Sequence, residues 1–149
     1  MPSRRPRIGQ AVTAPPSLFV DSSAWIALRS RRDQHHADAD RLFRDALARR
    51  IPLVTTGLVV AETHRLTLFR VGVQPARRFL ELVDASSGVT IHFPGVADHA
   101  AARRWLERLG SRPVTYTDAV SFAVMERLDI QEAIAFDEHF RQYGQFTIL

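Results

Sequence analysis

Short apolar runs alternate along the chain with longer segments in which apolar residues recur every three or four positions. The short runs predict strands, and the longer segments predict amphipathic helices. Strands separated by helices indicate right-handed crossovers and a mainly parallel sheet covered on both faces, which is an α/β fold. The predicted strands cover residues 17–20, 52–55, 89–93, 132–136 and 146–149, and the predicted helices begin near Ser23 and then cover 38–50, 58–69, 75–85, 96–109 and 117–128.

Residues 1–16 stand apart from this alternation. They contain Arg4, Arg5 and Arg7 and no acidic residue, and they show little apolar periodicity. We interpret them as a flexible basic tail. Residues 17–149 have the length of one domain with its own core, so we predict a single globular domain there.

The composition excludes several kinds of chemistry. All 20 basic residues are arginines, and the chain has no lysine and no cysteine. A P-loop and a Schiff-base mechanism both need a lysine, and a disulfide or thiolate metal site needs cysteine. Residues 17–149 have 17 arginines against 16 acids, so bulk charge does not by itself indicate nucleic-acid binding. The apolar runs are too short to cross a membrane, and we expect a cytoplasmic protein.

Two aspartates follow predicted strands directly. Asp21 ends the run 17–20, and Asp137 ends the run 132–136. In an open parallel sheet, ligands bind outside the carboxyl ends of the strands, which is where both side chains are expected. Each also has a simpler explanation, because Asp is a favoured N-cap of a following helix.

Two further acids lie on predicted helices. Glu62 falls near the middle of an apolar stripe that runs from Leu58 to Phe69, where an acid is costly unless it is paired or binds a metal. An ion pair with Arg65 is the alternative. Asp118 follows Thr115 by the spacing of a capping box, yet Phe122 and Met125 share its side of the helix, which predicts that this side faces the sheet. The four acids are expected at one edge of the sheet, where they would repel one another unless Mg²⁺ or Mn²⁺ bound between them.

Four segments of the chain carry a family resemblance. They are LFVDSSAW, VVAETHRL, TYTDAVSFAVMERLDI and EAIAFDEHF. In this order they resemble the PIN domain, and in particular the VapC-type ribonuclease toxins of bacterial toxin–antitoxin pairs. The resemblance extends over residues 17–149 and implies an α/β/α sandwich on a parallel sheet.

The resemblance also implies roles for residues and partners. The four acids would be the catalytic and metal-binding residues of an endoribonuclease that needs Mg²⁺ or Mn²⁺ and leaves a 5′-phosphate. The hydroxyls of Ser23 and Thr117 would hydrogen-bond to the ligands and orient them. The implied partners are RNA, a small antitoxin protein and a second copy of the chain in a homodimer. We expect Trp25, Leu28 and Phe43 to line a groove for such a partner.

Two other functions are set against this one. A phosphatase of the haloacid-dehalogenase type needs a second Asp where this chain has Ser23, and it needs a lysine, so it is excluded. A non-catalytic PIN-like module whose acidic pocket holds a basic partner peptide stays open, and metal-dependent turnover would separate it from a nuclease. We interpret all six histidines as ordinary side chains, since none has metal-ligand spacing with another; His139, two residues after Asp137, could contact a substrate phosphate. We interpret two pairs of neighbouring arginines, Arg77–Arg78 and Arg103–Arg104, as lying on solvated helix faces. Some of these arginines could contact RNA phosphates.

Overall fold

The computed structural model describes residues 16–149, so that nearly all of the predicted tail lies outside the described part of the chain. Within it, strands and helices alternate as predicted. The strands are β1 (Leu18–Val20), β2 (Leu53–Thr56), β3 (Val89–His92), β4 (Glu132–Ile134) and β5 (Thr147–Ile148). The helices are α1 (Ser22–Arg29), α2 (His36–Ala48), α3 (Gly57–Arg70), α4 (Val73–Ala85), α5 (Val96–Leu109), α6 (Tyr116–Arg127) and α7 (Glu138–Tyr143).

The five strands form one parallel sheet in the order β3-β2-β1-β4-β5. The chain runs outward from β1 through β2 to β3 and then crosses to the other side of β1 to form β4 and β5. The boundary between β1 and β4 is therefore the topological switch point, outside which open α/β sheets bind their ligands. Val20 pairs with Ile134 across this boundary, and the Asp21 N–H donates to the Ile134 carbonyl at 3.1 Å. The predicted fold class is confirmed.

Helix α6 is the most deeply buried helix among those described, and it shows why Asp118 lies near the sheet. Every residue from Asp118 to Met125 is buried. The Phe122 ring packs edge-on against Phe140 with 4.9 Å between centroids, and Phe140 stacks on Phe19 of the central strand at 6.1 Å. Asp118, Phe122 and Met125 are all buried, but so are the residues between them, so the prediction that their shared side faces the sheet stays a prediction.

Trp25 is part of this core and not of a surface groove. Its side chain is 2% exposed, and its ring lies 5.2 Å from that of Phe43 and 5.9 Å from that of Phe79. The prediction that Trp25 lines a partner groove is therefore wrong, because helices α2 and α4 already cover it.

No helix within residues 16–149 has both the length and the apolar character needed to cross a bilayer.

Two element boundaries differ from the prediction for reasons that involve hydrogen bonds. Helix α1 begins at Ser22, one position earlier than predicted, because Asp21 accepts a hydrogen bond from the Ser23 N–H and caps the helix there. Strand β4 ends at Ile134, so Phe136 lies beyond it. The Phe136 N–H donates to the Ser23 hydroxyl at 2.9 Å and not to a neighbouring strand.

Candidate active site

Asp21 caps helix α1 through one carboxylate oxygen and leaves the other without a partner within residues 16–149. Its Oδ2 accepts hydrogen bonds from the Ser23 N–H at 3.3 Å and from the Ser23 Oγ at 2.8 Å, as an N-cap does. Its Oδ1 is buried and accepts no hydrogen bond from any residue of 16–149. The side chain as a whole is 1% exposed. One oxygen therefore fixes the carboxylate at the start of α1, and the other is free to bind a ligand.

Ser23 joins the ends of β1 and β4. Its hydroxyl donates to Asp21 and accepts from the backbone N–H groups of Phe136 and Asp137, at 2.9 and 3.2 Å. The two strand ends that carry acids at the switch point are thus held together by one side chain. This is the orienting position that the family resemblance implies for Ser23.

We expect Ser23→Ala to weaken both the fold and the site. The change leaves two backbone donors without their acceptor and Asp21 Oδ2 with only the bond from the backbone N–H of residue 23. An unsatisfied buried polar group costs about 1–3 kcal/mol. Loss of a group that orients a metal ligand commonly costs about 10–100-fold in activity. Urea unfolding and RNA cleavage measure the two effects. Ser121→Ala is the matched control, because the Ser121 hydroxyl bonds within its own helix, to the Thr117 carbonyl. An equal effect of the two substitutions would contradict the role of Ser23.

Glu62 is held by a hydroxyl and not by an arginine. Its Oε2 accepts a hydrogen bond of 2.6 Å from the Ser22 Oγ, and no ion pair with Arg65 forms among the described residues. The Arg65 guanidinium lies instead over the ring of Phe69, at 5.6 Å. Phe69 itself is 75% exposed, so the predicted core-facing stripe is wrong at its carboxyl end. The role of Ser22 was not predicted from the sequence, although its position directly after Asp21 was the available signal.

Asp118 and Asp137 each begin a helix near Asp21. The Asp118 N–H donates to the Thr115 Oγ1 at 3.1 Å, so Thr115 caps α6 as predicted. Asp137 caps α7, because its Oδ1 accepts from the Phe140 N–H at 3.0 Å. The cap at Asp118 uses its backbone N–H and the cap at Asp137 uses its carboxyl Oδ1, and both side chains line the same cavity as Asp21.

One cavity of about 330 Å³ brings the four predicted acids together. Asp21, Glu62, Asp118 and Asp137 all line it, and they come from four separate parts of the chain. Thr117 is not among the lining side chains, and its carbonyl accepts from Ser121 within α6, so its orienting role stays a prediction. The remaining walls include Ser22, Ser23, Ile26, Asp33, Gln34, His35, Leu66, Arg70, Thr115, Phe136 and His139.

Burial and the neighbouring charges raise the pKa values of two of the four acids. Burial, opposed by hydrogen bonds from Ser23 and Ser22 and reinforced by the charge of Glu62, raises the pKa of Asp21 to about 6. Burial is also the largest cause for Asp118, and the charges of Asp21, Asp137 and Glu62 add to it, so that its pKa rises to about 7. The protein without bound cations therefore holds protons at this site near neutral pH.

The donor set fits a hard divalent cation. Carboxylate oxygens are the preferred ligands of Mg²⁺ and Mn²⁺, and the buried Oδ1 of Asp21 lacks a partner within residues 16–149. In the described part of the chain, no three acidic or histidine side chains already have the spacing of a metal site. Binding would therefore draw the carboxylates closer together, which their mutual repulsion opposes when no cation is present.

The fold and this site define a class of protein. Residues 18–145 match the family model described as PIN domain, and the chain belongs to that family. The resemblance predicted from the four sequence segments is confirmed. The 23S rRNA-specific endonuclease VapC20 of Mycobacterium tuberculosis, in the CDC 1551 and H37Rv strains, is 35% identical over 128 residues, which cover 85% of this chain and 94% of the relative. A PIN domain with this relative fits an endoribonuclease toxin.

Solved structures agree with this family. The crystal structure of M. tuberculosis VapC20, described as a sarcin–ricin loop cleaving toxin, is 33% identical and matches with a TM-score of 0.77 over 88% of this chain and 97% of that one. FitAcB from Neisseria gonorrhoeae matches with a TM-score of 0.63 over 89% of this chain and 96% of that one. At 10% identity, the second likeness shows the shared fold alone.

Proposed function

We propose that this chain is a metal-dependent endoribonuclease, that it is the toxin of a toxin–antitoxin pair, and that it cuts the sarcin–ricin loop of 23S rRNA. The observation that carries the proposal is the cavity at the switch point, into which four separate parts of the chain bring a carboxylate. The identity to VapC20 supports the choice of substrate.

The chain's own residues would prepare the site for hydrolysis of a phosphodiester. Asp21, anchored through Oδ2, offers its free Oδ1 to a cation together with the carboxylates of Glu62, Asp118 and Asp137. Magnesium or manganese bound there would offset the negative charge of the phosphoryl group and favour in-line attack by water. In that attack the water oxygen bonds to phosphorus as the bond to the 3′-oxygen breaks. The water gives up a proton and the 3′-oxygen takes one up, so the products are a 3′-hydroxyl and a 5′-phosphate.

The proposal is tested by cleavage of a defined RNA. The purified full chain should cut an oligonucleotide that folds as the sarcin–ricin loop when Mg²⁺ or Mn²⁺ is added, and EDTA should stop the reaction. A duplex that contains the same sequence in paired form is the control, since sequence-specific recognition of RNA favours unpaired loops. Cleavage that persists in excess EDTA would contradict the metal-dependent mechanism. Binding of the loop without any metal-dependent turnover would favour the alternative of a non-catalytic module.

A protein partner is supported by apolar side chains that the described structure leaves exposed. The three most exposed are Leu47 near the end of α2, Phe93 before α5 and Val96 at the start of α5. We propose a homodimer and a small antitoxin as the partners that cover such surfaces. Light scattering on the pure protein should give the mass of two copies, and co-expression with a neighbouring small gene product should give a larger complex. A monomer that no such product binds would contradict this proposal.

A further inference from the structure

A second cavity, which we call the arginine groove, lies beside the acidic site. Its volume is about 780 Å³, and it runs between the loop after α1, the end of α3 and the start of α4. Its polar walls are dominated by arginines, namely Arg29, Arg31, Arg32, Arg70 and Arg78. All five arginines are exposed to solvent.

None of the five guanidinium groups forms an ion pair with an acid of residues 16–149. The acid that lines the groove, Asp33, accepts a hydrogen bond of 2.8 Å from the His35 N–H instead. By contrast, Arg44 on α2 and Arg49 just after it each pair with an aspartate one turn earlier. The arginine groove therefore concentrates positive charge that no ion pair within residues 16–149 neutralises.

The arginine groove opens into the acidic cavity. Ile26, Asp33, Leu66 and Arg70 line both of them, so the two form one continuous surface. Residues 17–149 have 17 arginines against 16 acids, so their formal charges nearly cancel. The positive charge of the five groove arginines is therefore a property of this part of the surface and not of the whole domain. Planar guanidinium groups suit phosphate oxygens, which they can bind through two parallel hydrogen bonds.

We infer that the arginine groove binds the sugar–phosphate backbone of the RNA strand next to the bond that is cut. This inference rests on the proposed function and adds to it the path of the substrate. A strand placed along the groove has phosphates on the arginines and reaches the four carboxylates at the shared wall of Ile26, Leu66 and Arg70. An acidic segment of a protein partner is the other possible occupant, and the continuity with a phosphodiester-cutting site favours RNA.

The first test measures binding separately from cleavage. Anisotropy of a labelled single-stranded RNA in EDTA, titrated with salt, compares the full chain with Arg31→Gln/Arg32→Gln and with Arg78→Gln. Removing one arginine that binds a phosphate should lower the slope of log affinity against log salt by about 0.7, and should weaken binding roughly five- to tenfold at about 50 mM salt. Arg41→Gln/Arg44→Gln is the control, because both arginines are exposed on α2, pair with aspartates and do not line the groove. Arg31→Lys/Arg32→Lys should keep most of the slope, since it keeps the charge.

The second test separates a binding role from a catalytic one. With Mg²⁺, the groove variants should raise KM for the loop RNA and leave kcat nearly unchanged, because interactions remote from the scissile bond stabilise ground state and transition state alike. Unchanged RNA affinity and slope in the groove variants would overturn the inference. Oligoglutamate serves as a probe for an acidic protein segment. If the groove variants lost oligoglutamate binding and kept RNA binding, the groove would be assigned to a protein partner and the inference would be overturned. If the groove variants lose RNA affinity but the full chain cuts nothing, the proposed nuclease function fails and the binding inference stands.

Discussion

Replacing Asp118 by asparagine is expected to reduce RNA cleavage by roughly a thousandfold. The Asp118 carboxylate is buried beside three other acids that line the same cavity. Together they would hold a cation that neutralises the charge of the phosphoryl group. Metal ions supply several kcal/mol of transition-state stabilisation, and each 1.36 kcal/mol is about tenfold in rate. Single-turnover cleavage of the loop oligonucleotide measures the loss.

The same substitution separates a metal ligand from a helix cap. A hundredfold excess of Mn²⁺ over its dissociation constant should stabilise the wild-type protein by about 2.7 kcal/mol, and Asp118→Asn should lose most of that gain. If Asp118 only stabilised its helix through its charge near the N-terminus, the variant would lose about 0.3–1 kcal/mol of unfolding free energy in EDTA. It would then keep both its stabilisation by Mn²⁺ and its cleavage of RNA. Asp84→Asn is the control, because Asp84 is exposed on α4 and does not line the site.

The protein without bound metal is expected to lose stability as the pH rises from 5 to 8. Asp21 and Asp118 have pKa values raised from 3.8 to about 6 and about 7, so the folded state binds protons more tightly than the unfolded state does. A group shifted in this direction contributes stability at pH values below its unfolded pKa, and that contribution disappears as the pH passes the folded pKa. Since one pKa unit is worth about 1.4 kcal/mol and the two sites are coupled, we expect a fall of roughly 3 kcal/mol.

A third aspartate sets the lower limit of this range. The ion pair with Arg127, at 2.7 Å, lowers the pKa of Asp98, and its contribution is lost as the pH falls below the ordinary value. Maximum stability in EDTA is therefore expected near pH 4, close to the ordinary pKa of aspartate. Urea unfolding in EDTA at several pH values measures the curve. Asp118→Asn should flatten the upper part, and Asp84→Asn should not. A wild-type curve that is flat from pH 5 to 8 would contradict the crowding of the carboxylates.

Much of the site was predictable because strand ends and helix caps leave local signals. Asp21 and Asp137 each follow an apolar run, and Thr115 precedes Asp118 by the spacing of a cap, so their placement at the carboxyl edge needed no knowledge of the tertiary structure. The same local signals allowed two roles for each acid. The structure brings these acids into one cavity, while Asp21 and Asp137 also cap helices and Thr115 caps α6; a sequence without coordinates could not decide this.

The features that could not be predicted from the sequence depend on contacts between segments that are distant along the chain. The exposed position of Phe69 follows from where α3 ends relative to the sheet, and helical periodicity does not report that. The arginine groove combines Arg31 and Arg32 from a loop with Arg70 and Arg78 from two helices. In the sequence each of these arginines resembles an ordinary solvated charge, because nothing in a local pattern shows which of them meet.

The hydrogen bonds of Ser23 have a consequence for the order of events during synthesis. They join residues 113 and 114 positions apart, and β1 has no parallel neighbour on that side until β4 exists. Contacts so distant along the chain form late, because a long loop must close first. A nascent polypeptide that ends before Asp137 thus lacks one wall of the cavity, whatever its amino-terminal half has already folded into. The four acids can therefore come together only after β4 and the residues that follow it have been made, which places completion of the cavity late in folding.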